Sequence, residues 1–267
     1  ALTAGLALAA CGSSQSSNAD KTYSYIFVSN PDTLDYITST RDSTSSITTN
    51  LIDGLLENDQ YGNLIPSMAE SWTVSKDGLT YTYKIRQGAK WYTSEGEEYA
   101  DVTAHDFVTG LKYAADKKAE NLYLVQDSIK GLADYVEGRT SDFGTVGVKA
   151  VDDYTLQYTL NQPETYWNSK TTASILNPVN EAFLKSKGDD FGSVTPSSIL
   201  SNGPYLFKSF SSKSLIEFDK NPNYWDKDKV KIEKVKLSFF DGSDQDSIAR
   251  GFLDGNYTDG RIFPTSS

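Results

Sequence analysis

Apolar and polar residues alternate most regularly between Ser71 and Ile85. At the centre of this stretch Asp77-Gly78 is a two-residue hairpin signal of the type I′ kind, which takes positive φ at both positions. Pairing Lys76 with Leu79 sets Val74 opposite Tyr81 and Trp72 opposite Tyr83 on one face, with Thr73, Ser75, Thr80 and Thr82 on the other. The same period predicts strands at Tyr23–Val28, Tyr154–Leu160 and Val235–Phe239, and a hairpin pairing Tyr205–Phe210 with Leu215–Phe218 across Ser211–Ser214. A helical period runs through Ile47, Leu51, Ile52, Leu55 and Leu56, predicting a helix over 43–56. Thr103 followed by Asp106 has the form of a capping box and opens a second helix through Phe107, Leu111 and Ala114. Ser243 to Leu253 reads as a third. Strands and helices interleave irregularly and without repeats, so the fold class expected is α/β in the mixed α+β sense.

Chemistry is limited by what the chain contains. It has a single histidine and a single cysteine, which leaves no paired-His or Cys-rich zinc site and no internal disulfide. His105 sits in the first turn of the second helix and reads as a surface residue; no G-x-S-x-G elbow, GxGxxG or P-loop occurs. Glu57–Gly62 has a superficial likeness to a calcium loop, but Tyr61 and Met68 occupy positions that need oxygen ligands, and a hairpin turn accounts for it. Asp152-Asp153 and Asp189-Asp190 adjoin turns and read as solvated, which leaves a two-carboxylate glycosidase as an open alternative. The net charge of −11 disfavours nucleic acid and anionic lipid. No cofactor and no metal are expected.

The N-terminal stretch Ala1–Ala10 is uncharged, apolar and too short to cross a bilayer, which takes about 20 residues. With no initiator Met and no basic segment, it reads as the end of a signal peptide whose start precedes residue 1. Leu8-Ala9-Ala10-Cys11 resembles the lipobox of bacterial lipoproteins, which makes Cys11 the expected diacylglycerol attachment point and residues 12–20 a tether.

Further along, Leu51–Leu56, Asn63–Trp72, Ile85–Trp91, Thr103–Phe107, Val151–Leu156, Ser201–Tyr205 and Lys220–Trp225 follow one another in an order that closely resembles the extracellular solute-binding proteins of family 5. Within that family the likeness is greatest to streptococcal oligopeptide-binding lipoproteins of the Opp/Ami/Ali type, and it extends from about residue 22 to 267. The resemblance implies lobe I of a periplasmic-binding-protein-like class II fold, with an inserted subdomain and the second lobe absent. Its expected divisions are 1–10 (signal end), 11–21 (lipidated Cys and tether), 22–50 and 170–267 (lobe I), and 51–169 (the subdomain). It further implies an oligopeptide ligand, an ABC permease partner, a monomer anchored to the cell membrane facing outside, and no catalysis. The expected ligand-binding residues are Ser29, Asn30, Asp32 and Thr33 after the first strand, and Asn202, Gly203 and Tyr205 before the 205–218 hairpin. An oligosaccharide or metal chelate on the same scaffold is the alternative to peptide.

Overall fold

The computed structural model describes residues 21–27 and 29–239. Two four-stranded sheets organise the chain. The first has the order β1 (Thr22–Phe27), β12 (Lys234–Phe239), β11 (Leu215–Lys220) and β10 (Tyr205–Ser211). Its β1 and β12 run parallel, while β12, β11 and β10 are antiparallel. The second is an antiparallel sheet of β4 (Ala69–Val74), β5 (Thr80–Ile85), β9 (Thr155–Thr159) and β8 (Val148–Asp152). Two short ribbons complete the strands: β2 (Leu56–Asn58) with β3 (Leu64–Pro66), and β6 (Lys90–Tyr92) with β7 (Glu98–Asp101). The helices are α1 (Asp42–Thr48), α2 (Ala104–Asp116), α3 (Leu132–Val136), α4 (Trp167–Lys170) and α5 (Glu181–Lys187). None among the described residues is long and apolar enough to cross a membrane. Cys11 and the 243–253 segment lie outside the described residues.

The second sheet shows how alternation becomes core. Trp72 pairs with Tyr83 and Val74 with Tyr81, the register expected from the sequence. The turn differs. Gly78 has φ of 73°, but Asp77 does not share the left-handed region. Instead Ser75 N–H donates to Thr80 O (2.9 Å) and Gly78 N–H to Ser75 O (2.9 Å), closing a four-residue loop. Asp77 Oδ1 accepts from Leu79 N–H (3.0 Å), so the aspartate satisfies the loop without taking positive φ itself. Tyr83 and Tyr158 then meet edge to face (6.0 Å), and the Trp167 indole N–H donates to the Tyr83 hydroxyl (3.1 Å). These rings are fully buried, and such pairs add about 0.5–1.5 kcal/mol beyond area burial. The β4 edge stays open, with Val74 exposed.

The helix expected over 43–56 is half that length. α1 stops at Thr48, and the Asn50 side-chain amide donates to Ser46 O (3.2 Å) and Ile47 O (3.3 Å), capping carbonyls that a longer helix would have used. Beyond it Leu51, Ile52 and Leu55 are buried from an irregular segment and Leu56 from β2. Their spacing mimicked a helix because burial on several sides needs no period. α2 begins as expected, with Thr103 N–H donating to Asp106 Oδ2 (3.0 Å), and it packs on β8 and β9. Glu57–Gly62 forms the β2–β3 turn, where Asp59 Oδ1 accepts from Tyr61 and Asn63 N–H.

Candidate functional site

The loop after β1 leaves the first sheet at Ser29 and is held by side chains. Asn30 Nδ2 donates to Ser212 Oγ (3.0 Å), and Lys213 N–H donates to Asn30 Oδ1 (3.0 Å), tying the loop to the tip of the β10–β11 hairpin. Asp32 pairs with Arg41. Thr33 Oγ1 donates to Gly192 O (3.1 Å) and accepts from Asp35 N–H (3.0 Å), while Thr33 O accepts from Thr44 Oγ1 (2.9 Å). Ser29 and Asp32 are exposed and Pro31 is buried. Among the described residues, the main-chain groups of Ser29, Asn30 and Asp32 make no hydrogen bonds to other main-chain groups.

Asn202, Gly203 and Tyr205 face inward. Asn202 Oδ1 accepts from Asp53 N–H (2.8 Å) and its amide donates to Asp53 O (3.1 Å), so the side chain reads a backbone as a strand neighbour would. Gly203 N–H donates to Leu51 O (2.8 Å), and a Cβ there would lie 2.8 Å from Leu51 C and O; glycine is needed for this approach. Tyr205 is 1 % exposed, with its N–H on Asn50 O (3.1 Å) and its hydroxyl donating to Ile232 O (3.0 Å). In this chain they join residues 201–205 to 50–53, and the buried Tyr205 ring has no open face to lay over a ligand. Nor does the fold bring the two loops together. Tyr205 pairs with Lys220 at the Thr22 end of the sheet, whereas Asn30 meets the hairpin tip at the Phe239 end, roughly 20 Å away over six residues of strand.

Beside this knot lies a groove of about 290 Å³. The end of α1 (Ser45, Thr48, Thr49) forms one side, Asp53 to Asn58 another, and Thr172, Ser174 and Asn177 a third. Asp53 is 8 % exposed, and its Oδ2 accepts from the Tyr224 hydroxyl (2.5 Å) and the Trp225 indole N–H (3.4 Å). Burial lifts Asp53 to about 6, against the lowering effect of those bonds. Glu57 is lifted to about 7 by burial first and then by the negative charges of Asp53 and Asp226, with Lys229 opposing. Arg86 stacks over the Trp225 ring (3.8 Å). The available sequence signal was a lone carboxylate inside the apolar run Leu51–Leu56. Among the described residues no cluster of carboxylate, His or Cys ligands could hold a metal ion.

A parallel–antiparallel sheet closed by β1 from one end of the chain and β10–β12 from the other, with a second sheet between them in sequence, defines a mixed α/β lobe of the class II periplasmic-binding fold. The chain belongs to the family described as bacterial extracellular solute-binding proteins, family 5 Middle, which residues 63–267 match. Over 266 residues, all of this chain, it is 65 % identical to the oligopeptide-binding protein AliB of Streptococcus pneumoniae. It is 62 % identical over 275 residues to the oligopeptide-binding protein SarA of Streptococcus gordonii. The chain spans 40 % and 42 % of their lengths. The structure of Listeria monocytogenes OppA bound to peptide superposes with a TM-score of 0.80 at 29 % identity, covering 89 % of this chain and 46 % of that one.

Proposed function

We propose that this chain forms one wall of an oligopeptide-capturing protein that delivers its cargo to an ABC permease. The observation that carries the reading is the 65 % identity, along the entire chain, to a protein named for binding oligopeptides. In this reading residues 22–50 and 170–267 make the lobe, residues 51–169 are a subdomain inserted into it, and the opposing wall belongs to the length of the relatives that this chain does not span. Cys11 carries a diacylglycerol anchor that holds a monomer at the outer face of the cell membrane. The role is capture and not catalysis.

The mechanism follows from the loop geometry. Ser29, Asn30 and Asp32 offer main-chain donors and acceptors to an extended ligand, and main-chain pairing gives affinity that ignores ligand sequence. Asn30 and Thr33 fix the loop through the bonds described above, which lowers the ordering cost on binding. Asn202, Gly203 and Tyr205 act as positioning residues that lock the start of β10. The test joins residues 1–267 to the part of AliB that the chain does not match, and titrates this chimera with unrelated peptides, an oligosaccharide and a metal chelate. Micromolar binding of several unrelated peptides is expected; binding confined to the oligosaccharide or the chelate would overturn the assignment.

A further inference from the structure

We propose that the groove between α1 and β2 is a receptor for an organic cation, the ammonium or guanidinium of a basic side chain on the captured peptide, with Glu57 and Asp53 as its counter-charges. The inference rests on the peptide reading above. Two facts about bonding carry it. The Glu57 carboxylate is half-buried, and the groups acting on it are charges at a distance, with no hydrogen bond or ion pair among the described residues. Asp53, more than nine-tenths buried, uses Oδ2 for Tyr224 and Trp225, while Oδ1 accepts no hydrogen bond among the described residues and the residue lines the groove. Both carboxylates thus keep oxygens that are open to the groove and that no protein donor occupies among the described residues.

The neighbouring cations are already committed. Lys229 Nζ lies 3.9 Å from Asp226, and Arg86 is stacked on Trp225 with its Nε donating to Ser67 O (3.1 Å). The groove's hydroxyls point the same way. Thr48 donates to Thr44 O (3.2 Å), Ser45 to Asp42 O (3.4 Å) and Thr172 to Ser169 O (2.7 Å), so these three have only lone pairs left for an occupant. Three hydroxyls restricted to accepting, beside two carboxylates, favour a donor-rich cation over an anion.

The charged and titratable groups facing Glu57 are Asp53, Tyr224, Asp226 and Lys229, with Arg86 beside Asp53. A cation binds the ionised form, so binding displaces a proton from Glu57. With Glu57 near 7, its ionised fraction rises about tenfold from pH 6 to pH 8, and the preference for a basic side chain rises with it.

The test uses the chimera and two N-acetylated peptide sets: one with a single lysine at each position in turn, the other with norleucine there. A third peptide with a free amino terminus and no basic side chain separates the terminal ammonium from the side-chain one. One lysine position is expected to bind about tenfold tighter than its norleucine partner at pH 8, with the gain falling below about twofold at pH 6 and in Glu57→Gln. Butylammonium chloride, titrated against sodium chloride into the 267-residue chain, should lower the Glu57 pKa read by carboxyl NMR. Peptides that bind equally with lysine and norleucine at every position would overturn the cation site and leave peptide capture standing. A gain found only with the free terminus would overturn the side-chain assignment. If no peptide in either set binds, the peptide reading itself fails, and the butylammonium shift then decides the site alone.

Discussion

Replacing Asn202 with Ala tests whether this residue holds the fold or touches a ligand. Asn202 is 2 % exposed and bonds the main chain of Asp53 twice, at 2.8 and 3.1 Å. Truncation removes both partners and strands a buried N–H and a buried C=O, each at about 1–3 kcal/mol. Taking the low-to-middle part of that range for the pair gives about 3 kcal/mol. For a domain of this size that lowers Tm by roughly 6–12 °C. Circular dichroism melts of the 267-residue chain and of Asn202→Ala read the shift directly. Asn202→Asp serves as a second variant, since it keeps the acceptor for Asp53 N–H but sets a carboxylate oxygen against Asp53 O, and it should cost at least as much. A Tm within about 2 °C of the parent, together with weakened peptide binding in the chimera, would refute the positioning role and restore Asn202 as a ligand contact.

The raised carboxylates set a pH dependence. Asp53 and Asp106 are each lifted to about 6 by burial, and Glu57 to about 7. Each binds its proton more tightly folded than unfolded, so stability falls as pH rises from about 4 to about 7. Asp59, Asp77 and Asp152 are held low by hydrogen bonds, and their contribution is lost only below the ordinary Asp range. Urea melts should therefore place maximum stability near pH 4–5; a maximum above pH 7 would contradict the burial assigned to these groups. Asp53→Asn keeps an acceptor for Tyr224 and removes the charge, so it should stabilise the chain at pH 8 by up to about 3 kcal/mol and flatten the slope. Loss of stability at pH 8 would count against that. Gly203→Ala forces a Cβ to within 2.8 Å of Leu51 C and O, and a Tm loss comparable to that of Asn202→Ala is expected by the same melts. No loss would mean the two segments separate easily.

What could be read from the sequence depended on how local the cause was. The Trp72–Tyr83 register, the Asp106 cap and the 205–218 hairpin follow from neighbouring residues, and each appears in the structure. The sequence misled over 43–56 because Leu51 and Asp53 are bonded by residues some 150 positions away and Leu55 and Leu56 by the 66–69 strand segments, partners that a helical period does not register. The same distance hid the meaning of Asn202 and Gly203. Both are turn formers by type, and only the fold shows that their partners are Leu51 and Asp53. Asp53 and Glu57 were passed over for the converse reason: their unusual protonation comes from burial, which composition does not report.

The claim on which the rest depends is that capture needs two walls and that this chain supplies one. A single wall leaves an extended peptide half hydrated, so the favourable contacts do not exceed the cost of ordering it. Calorimetric titration of one lysine-free peptide into the 267-residue chain and into the chimera puts this directly. Micromolar affinity is expected for the chimera, and no saturable binding for the chain alone up to about 1 mM. A micromolar dissociation constant for the chain by itself would contradict the account.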